Sequence, residues 1–274
     1  MFEQLHHDLR AFMEACRTRP SSHAVHSLRT STRRMEALLR NLLEEHPQTP
    51  HLRGRVHHVL DALRELRRGA GRIRDLDVQR MLIAEIAARR TDMGSIKKRE
   101  AWDEQCAELG IVLRRRRKRE SAKIMSLLQD AVPPLERALN RMAETIKTVD
   151  EAHPLKIDLL NCLRSSLALT DTSEESLHRY RKRIKAARYL LEMRDGSPVA
   201  RRFVTQLKQV LDPIGRWHDL LLLTEEATAL LGKKVILTET IRAERDEALL
   251  LAIKAAESMN SPKHNQSLDS TPLS

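Results

Sequence analysis

Aromatic side chains are almost missing from this chain: three Phe, two Trp and two Tyr account for 3% of its 274 residues. Readers of single-stranded nucleic acid stack bases on aromatic rings, so that mode of recognition has little to work with here. Cysteine is equally scarce. Cys16, Cys106 and Cys162 are an odd number, far apart, with no CxxC pair. That excludes a disulfide framework or a cysteine metal site and suits reduced thiols in the cytoplasm. No apolar run approaches the length of a membrane span, and the opening MFEQLHHDLR has no signal-peptide core. The expected protein is therefore soluble and cytoplasmic, with no membrane partner. Runs of β-branched alternation are lacking too, Lys234–Leu237 being too short to count, so sheet architectures drop out.

What remains is helix and charge. Leu, Ala, Arg, Glu and Lys dominate, against 8 Gly and 10 Pro. Heptad-like apolar spacing recurs, as in Leu155, Leu159, Leu160, Leu163 and Leu167. The fold class is all-α, and the length suffices for one large domain or two of ordinary size. Lys and Arg number 49 against 38 Asp and Glu, a formal charge of +11. Such a field concentrates polyanions and makes their binding salt-sensitive. Together with the missing aromatics, it favours a ligand that is highly charged but has no π-faces.

The charge is organised in a helix written twice. Residues 25–40 read VHSLRTSTRRMEALLR and residues 177–192 read LHRYRKRIKAARYLLE. They match His26 with His178, Arg29 with Arg181, Arg33 with Lys185, and Leu38–Leu39 with Leu190–Leu191. Positions i, i+3 and i+7 share one helix face, so each copy stacks an imidazole and two cations in one stripe. Further on, Gly71-Arg-Ile-Arg-Asp-Leu-Asp-Val78 in the first half faces Gly215-Arg-Trp-His-Asp-Leu-Leu-Leu222 in the second, with Arg74 opposite His218. Two motifs in the same order indicate an internal duplication, with a period too long for a solenoid.

Helices are expected at 2–18, 22–45 (capped by Ser21 or Ser22), from the turn at 46–50 to about Arg68, and from Asp75 to about Arg90, with Gly69–Gly71 as a break. Residues 93–150 read as long connecting helices interrupted at Pro133–Pro134. The second half then offers helices at 154–169, at 174–194 after the Asp171–Ser173 cap, at 199–211, from Arg216 after a turn at Asp212–Pro213, and at 238–258. The expected architecture is two pseudo-symmetric four-helix bundles, about 1–125 and 150–258, with a disordered tail over 259–274.

Between residues 25 and 40 the cations are Arg29, Arg33, Arg34 and Arg40, with Glu36 the only carboxylate; between 177 and 191 there are six cations and no carboxylate. Like charges about 6 Å apart repel by roughly 0.7 kcal/mol at bulk dielectric and about 3 kcal/mol at an effective value near 20. Ordinary helices relieve this with interleaved glutamates. A solvated basic face, paired with acids from neighbouring helices, is the plain alternative for one such run; two matching copies shift the balance to an anion-binding device. His26 and His178 can be structural hydrogen-bonding residues. As ligand contacts, they would be hard to protonate among cations until an anion binds. Arg72 and Arg216, just after glycine at an expected helix start, could hold an oxyanion with backbone N–H groups. Asp75 and Asp219 read as N-caps or ion-pair partners rather than catalytic groups. The run Arg114–Arg119 (RRRRKR) has no counterpart in the second half; such runs are usually solvated and also mimic nucleic-acid patches.

The doubled pattern VHSLRTSTRRMEALLR with GRIRDLDV, and LHRYRKRIKAARYLLE with GRWHDLL, resembles the CHAD family, named for histidines in an α-helical domain. The resemblance covers residues 1–258. It implies two four-helix bundles related by a pseudo-two-fold axis, with the histidine helices on a shared basic groove. The implied activity is non-covalent binding of long-chain inorganic polyphosphate, and some family members gather on polyphosphate granules. The implied contacts are His26, Arg29, Arg33 and Arg34 in one half and His178, Arg181, Lys182, Lys185 and Arg188 in the other, with Arg72 and Arg216 beside them. It implies no catalytic residue, cofactor or metal. The second motif departs from the first in reading WHDLL, and no CYTH-like domain accompanies it.

Two other functions compete. Weak binding of nucleic-acid backbone would use the same charge and the RRRRKR run, though no helix-turn-helix or RNA-binding signature is present. A metal-dependent phosphohydrolase would use His178, His218-Asp219 and Asp246, but those histidines sit among arginines that repel a metal ion. His57-His58 and His23 with His26 offer no better ligand set.

Overall fold

The computed structural model describes residues 1–89, 95–152, 169, 171–193 and 198–259. Among these residues the chain forms seven α-helices and no strand: α1 (Phe2–Thr18), α2 (Ser22–Glu45), α3 (Leu52–Ala88), α4 (Ile96–Ala152), α5 (Glu174–Met193), α6 (Pro198–Leu231) and α7 (Ile236–Met259). The expected helix at 154–169 and the tail beyond Met259 lie outside the described residues, apart from residue 169 itself.

Several helix ends follow from local chemistry. α1 buries Phe2, Leu5, Leu9, Met13 and Cys16 along one stripe and stops at Arg19, whose extended backbone suits the following Pro20. Ser21 caps α2: its hydroxyl accepts the Ala24 N–H at 3.1 Å. Before α5, the Ser173 hydroxyl accepts the Ser176 N–H at 3.3 Å, while the Asp171 carboxylate takes the Ser173 N–H and the Ser176 hydroxyl. α6 ends at Gly232, whose φ of 95° is readily adopted only without a Cβ. The start of α7 is capped from a distance, the Leu237 N–H donating to Gln105 Oε1 on α4 at 3.0 Å.

Three expected breaks are absent. α3 runs through Gly69–Gly71, α4 through Pro133–Pro134 and α6 through Pro213. Packing outweighs propensity at each place. In α3, Leu63, Leu66, Ala70 and Ile73 are fully buried at helical spacing, and together these burials outweigh a cost of about 1 kcal/mol for each glycine. In α6, Val210, Ile214 and Trp217 are buried across the proline; together they offset its roughly 3 kcal/mol penalty. The rings of Pro133 and Pro134 lie on the exposed side of α4, with Leu128, Leu135 and Leu139 buried around them.

The chain divides into two compact units, one of residues 1–77 and 114–158, the other of 78–113 and 159–274. Neither is continuous in sequence, because α3 and α4 each pass from one unit to the other. In the first unit α1 packs on α2, and α3 is tied to α4 by a buried ion pair: Arg117 Nε donates to Asp77 Oδ1 at 3.0 Å. The same guanidinium reaches the Pro20 carbonyl at 2.7 Å and the Ser121 hydroxyl at 2.8 Å. In the second unit α5 packs on α6 and α6 on α7. Among the described residues no helix is long and apolar enough to cross a membrane. Cys16 and Cys106 are free thiols, and burial pushes each up to about 11, so both stay protonated near neutral pH.

Candidate functional site

In the first unit, α2 buries Val25, Leu28, Thr32, Met35, Leu39 and Leu42 in one helical stripe. That stripe fixes the rotation of the helix and leaves the basic one on its flank. His26 is exposed, while Arg29, Arg33 and Arg34 are half-buried. Arg29 runs over α3 at Gly71, where an added Cβ would lie 4.0 Å from its Nε. The two sequence motifs of this half thus meet in space. The Arg29 Nε–H is buried and has no hydrogen-bond partner, an arrangement that leaves a desolvated donor waiting for an acceptor. Glu36 takes Arg40 at 3.1 Å and also Arg67 from α3, so the single carboxylate between residues 25 and 40 already serves two cations.

The second unit builds its site from α5 and α6. Leu177, Tyr180, Ile184, Ala187 and Leu191 form the buried stripe of α5, and Trp217 is buried from α6. Beside them the rings of His178 and His218 lie 5.1 Å apart, centroid to centroid, tilted by 48°. Partial burial holds the His178 imidazole below its ordinary pKa, and the nearby charges of Lys182, Arg181 and Lys185 push in the same direction. Four of the residues expected from the sequence are therefore within electrostatic reach of one another. His218 joins them; the sequence had marked it by its place opposite Arg74 and as a candidate beside His178 in the phosphohydrolase reading.

The lowered His178 pKa predicts that acid destabilises the folded protein. Its folded-state pKa lies below that of the unfolded chain, so its contribution to stability is complete above about pH 6.5 and is lost as pH falls through the folded value. Thermal melts over that range should show His178→Gln losing less stability on acidification than the parent. Equal pH dependence of the two would show that His178 carries none of the acid sensitivity.

Arg72 and Arg216 are placed differently from their expected positions. Both lie inside helices, α3 and α6, where the neighbouring backbone N–H groups are engaged in the helix and cannot join them around an oxyanion. Arg72 Nε donates to Glu120 Oε2 at 2.7 Å, and Lys123 holds the other oxygen at 2.7 Å. Arg216 binds both oxygens of Glu85, at 2.8 and 2.9 Å, with Glu244 3.6 Å away. The Lys123 and Arg72 hydrogen bonds hold the Glu120 carboxyl below its usual pKa, and Arg216 does the same for Glu85. Asp75 and Asp219 also sit within these helices and so cap neither. Arg188 is held along its own helix, with Nε 3.2 Å from Glu192 and its guanidinium 5.0 Å over the Tyr189 ring.

Among the described residues no group of three or more His, Cys, Asp or Glu side chains is placed to hold a metal ion. Asp246 pairs with Arg245, and His23, His57 and His58 are exposed.

No curated protein matches this sequence. The family model of the CHAD domain matches residues 1–228, from α1 to within three residues of the end of α6. With the match spanning most of its length, and with both histidine helices and both glycine–arginine motifs inside it, the chain belongs to the CHAD domain family.

Proposed function

We propose that this chain binds long-chain inorganic polyphosphate non-covalently and performs no chemistry on it. The observation that carries the proposal is the cluster around His178, where Arg181, Lys182 and Lys185 act on one imidazole along a stretch, 177–191, with no carboxylate in its sequence. Positive charge gathered around one imidazole attracts a polyanion, whose oxygens accept from guanidinium, ammonium and imidazole alike. The buried, unsatisfied Arg29 Nε–H in the first unit supports the same reading. We read the two units as copies of one device, each setting its histidine helix on the element that carries its glycine–arginine motif. Polyphosphate has no bases to stack, and a chain with 3% aromatics gives up nothing in binding it. Such a protein would gather wherever the polymer accumulates.

Titration with polyphosphate of graded length tests the proposal. Affinity should rise with chain length and fall steeply with salt, since each added contact releases counterions. Duplex DNA or RNA at equal phosphate concentration should not displace the long polymer. Displacement would overturn the reading.

A further inference from the structure

The basic run on α4 does not belong to the cluster just described, and its geometry divides it in two. Arg116 and Arg117 are half-buried, and Arg117 is locked onto Asp77, Pro20 and Ser121. Arg114, Arg115, Lys118 and Arg119 are all exposed, and among the described residues none of their four side chains has a hydrogen bond or ion pair. At 3.6 residues per turn these four positions fall within an arc of about 140°, with Arg117 on the other side of the helix. They form two parallel rows, Arg114 with Lys118 and Arg115 with Arg119, each pair about 6 Å apart along the axis. Downstream on the same face come Ala122, Ser126 and Gln129, all exposed, and residues 114–130 contain no aromatic.

We propose that this face of α4 is a separate binding surface for the backbone of duplex nucleic acid, engaged without regard to base sequence. The inference goes beyond polyphosphate binding and uses none of its residues. A duplex is thick and stiff, so it reaches protruding, unpaired cations more readily than half-buried ones between helices. It carries one charge per about 1.7 Å of axis, the dense field that unpaired cations seek. Three of the four cations are arginines, suited to bidentate phosphate contacts. The absence of aromatics removes the platform a single strand needs. One turn upstream Ile111 is exposed on the same face, a single large apolar side chain beside small and polar ones, and one such residue is a weak anchor for a lipid surface.

The test is fluorescence anisotropy of the full chain with a labelled DNA duplex across about 50–200 mM salt, against a variant carrying R114Q, R115Q, K118Q and R119Q. The parent should bind with a steep salt dependence. The variant should bind at least about tenfold more weakly and lose about 3.5 from the slope of log K against log salt, at roughly 0.9 per cation removed. Its melting temperature and its affinity for long-chain polyphosphate should match the parent's. No duplex binding by the parent, or equal duplex binding by the variant, overturns the proposal. So does a variant that loses polyphosphate but keeps the duplex, since these cations would then belong to the polyphosphate site. Tighter binding of the parent to phosphatidylserine vesicles than to the duplex, abolished in the variant, would assign the face to a membrane and also overturn it. Failure of polyphosphate binding in both proteins would count against the function proposed above and leave the duplex result to stand on its own.

Discussion

Replacing Asp77 by Ala is expected to destabilise the first unit by about 3–5 kcal/mol, the usual cost of removing one partner from a buried ion pair. Asp77 is only 4% exposed and the Arg117 side chain 19%. The substitution leaves a guanidinium in a poorly hydrated place with the Pro20 carbonyl and the Ser121 hydroxyl as its remaining acceptors. Neither carries charge, so neither replaces the carboxylate. For a folded unit of this size such a loss lowers the melting temperature by on the order of 10 °C. Pairing D77L with R117M should recover much of the loss, because two apolar side chains avoid the desolvation that the lone charge suffers. A double-mutant cycle on chemical denaturation measures the coupling. A cost below about 1 kcal/mol for D77A would mean that water reaches and screens the pair.

The second large effect concerns binding. Replacing Arg29, Arg33, Arg181 and Lys185 together by Ala should weaken long-chain polyphosphate by about a hundredfold or more, since charge-assisted hydrogen bonds are worth about 1.5–3 kcal/mol each. The loss should exceed that of any single change, and the salt slope should fall by about 3, near 0.7 for each cation removed from a flexible polyanion. Arg29 is the position where fold and function are hardest to separate, because its stem covers Gly71 while its Nε–H is unsatisfied. Substituting Gln there retains part of the packing. Circular dichroism should show intact helices in the quadruple variant. Unchanged affinity would refute these residues as the binding face. Arg72 and Arg216 are held by carboxylates, so the same ligand should sense their loss less than it senses that of Arg29, whose Nε–H is unsatisfied.

Local signals located some elements better than others. The bounds of α1 and α2 follow from the sequence because each end is set by neighbours in the chain: Pro20 stops one helix and the Ser21 hydroxyl starts the next. The stripe of His26, Arg29 and Arg33 was legible for the same reason, since helical spacing alone puts those positions on one face. Gly69–Gly71, Pro133–Pro134 and Pro213 misled, because a breaker costs only about 1–3 kcal/mol and distant apolar residues packed beside it overrule that cost. The helix starts expected at Arg72 and Arg216 misled for the same reason, and their ion pairs were not legible either. Their carboxylates lie 48 and 131 residues away, beyond any motif.

By itself, then, the sequence determined the all-helical class, the sign and order of the charges, and family membership through a pattern spanning most of the chain. These are properties of composition and of spacing along a helix, and they need no contact between distant residues. Only the tertiary structure decided which cations are already paired, that His178 lies against His218, and that α3 and α4 each contribute to both compact units. Each of those depends on long-range packing, where apolar burial fixes the rotation of a helix and so decides which of its charges meet an acid and which meet water.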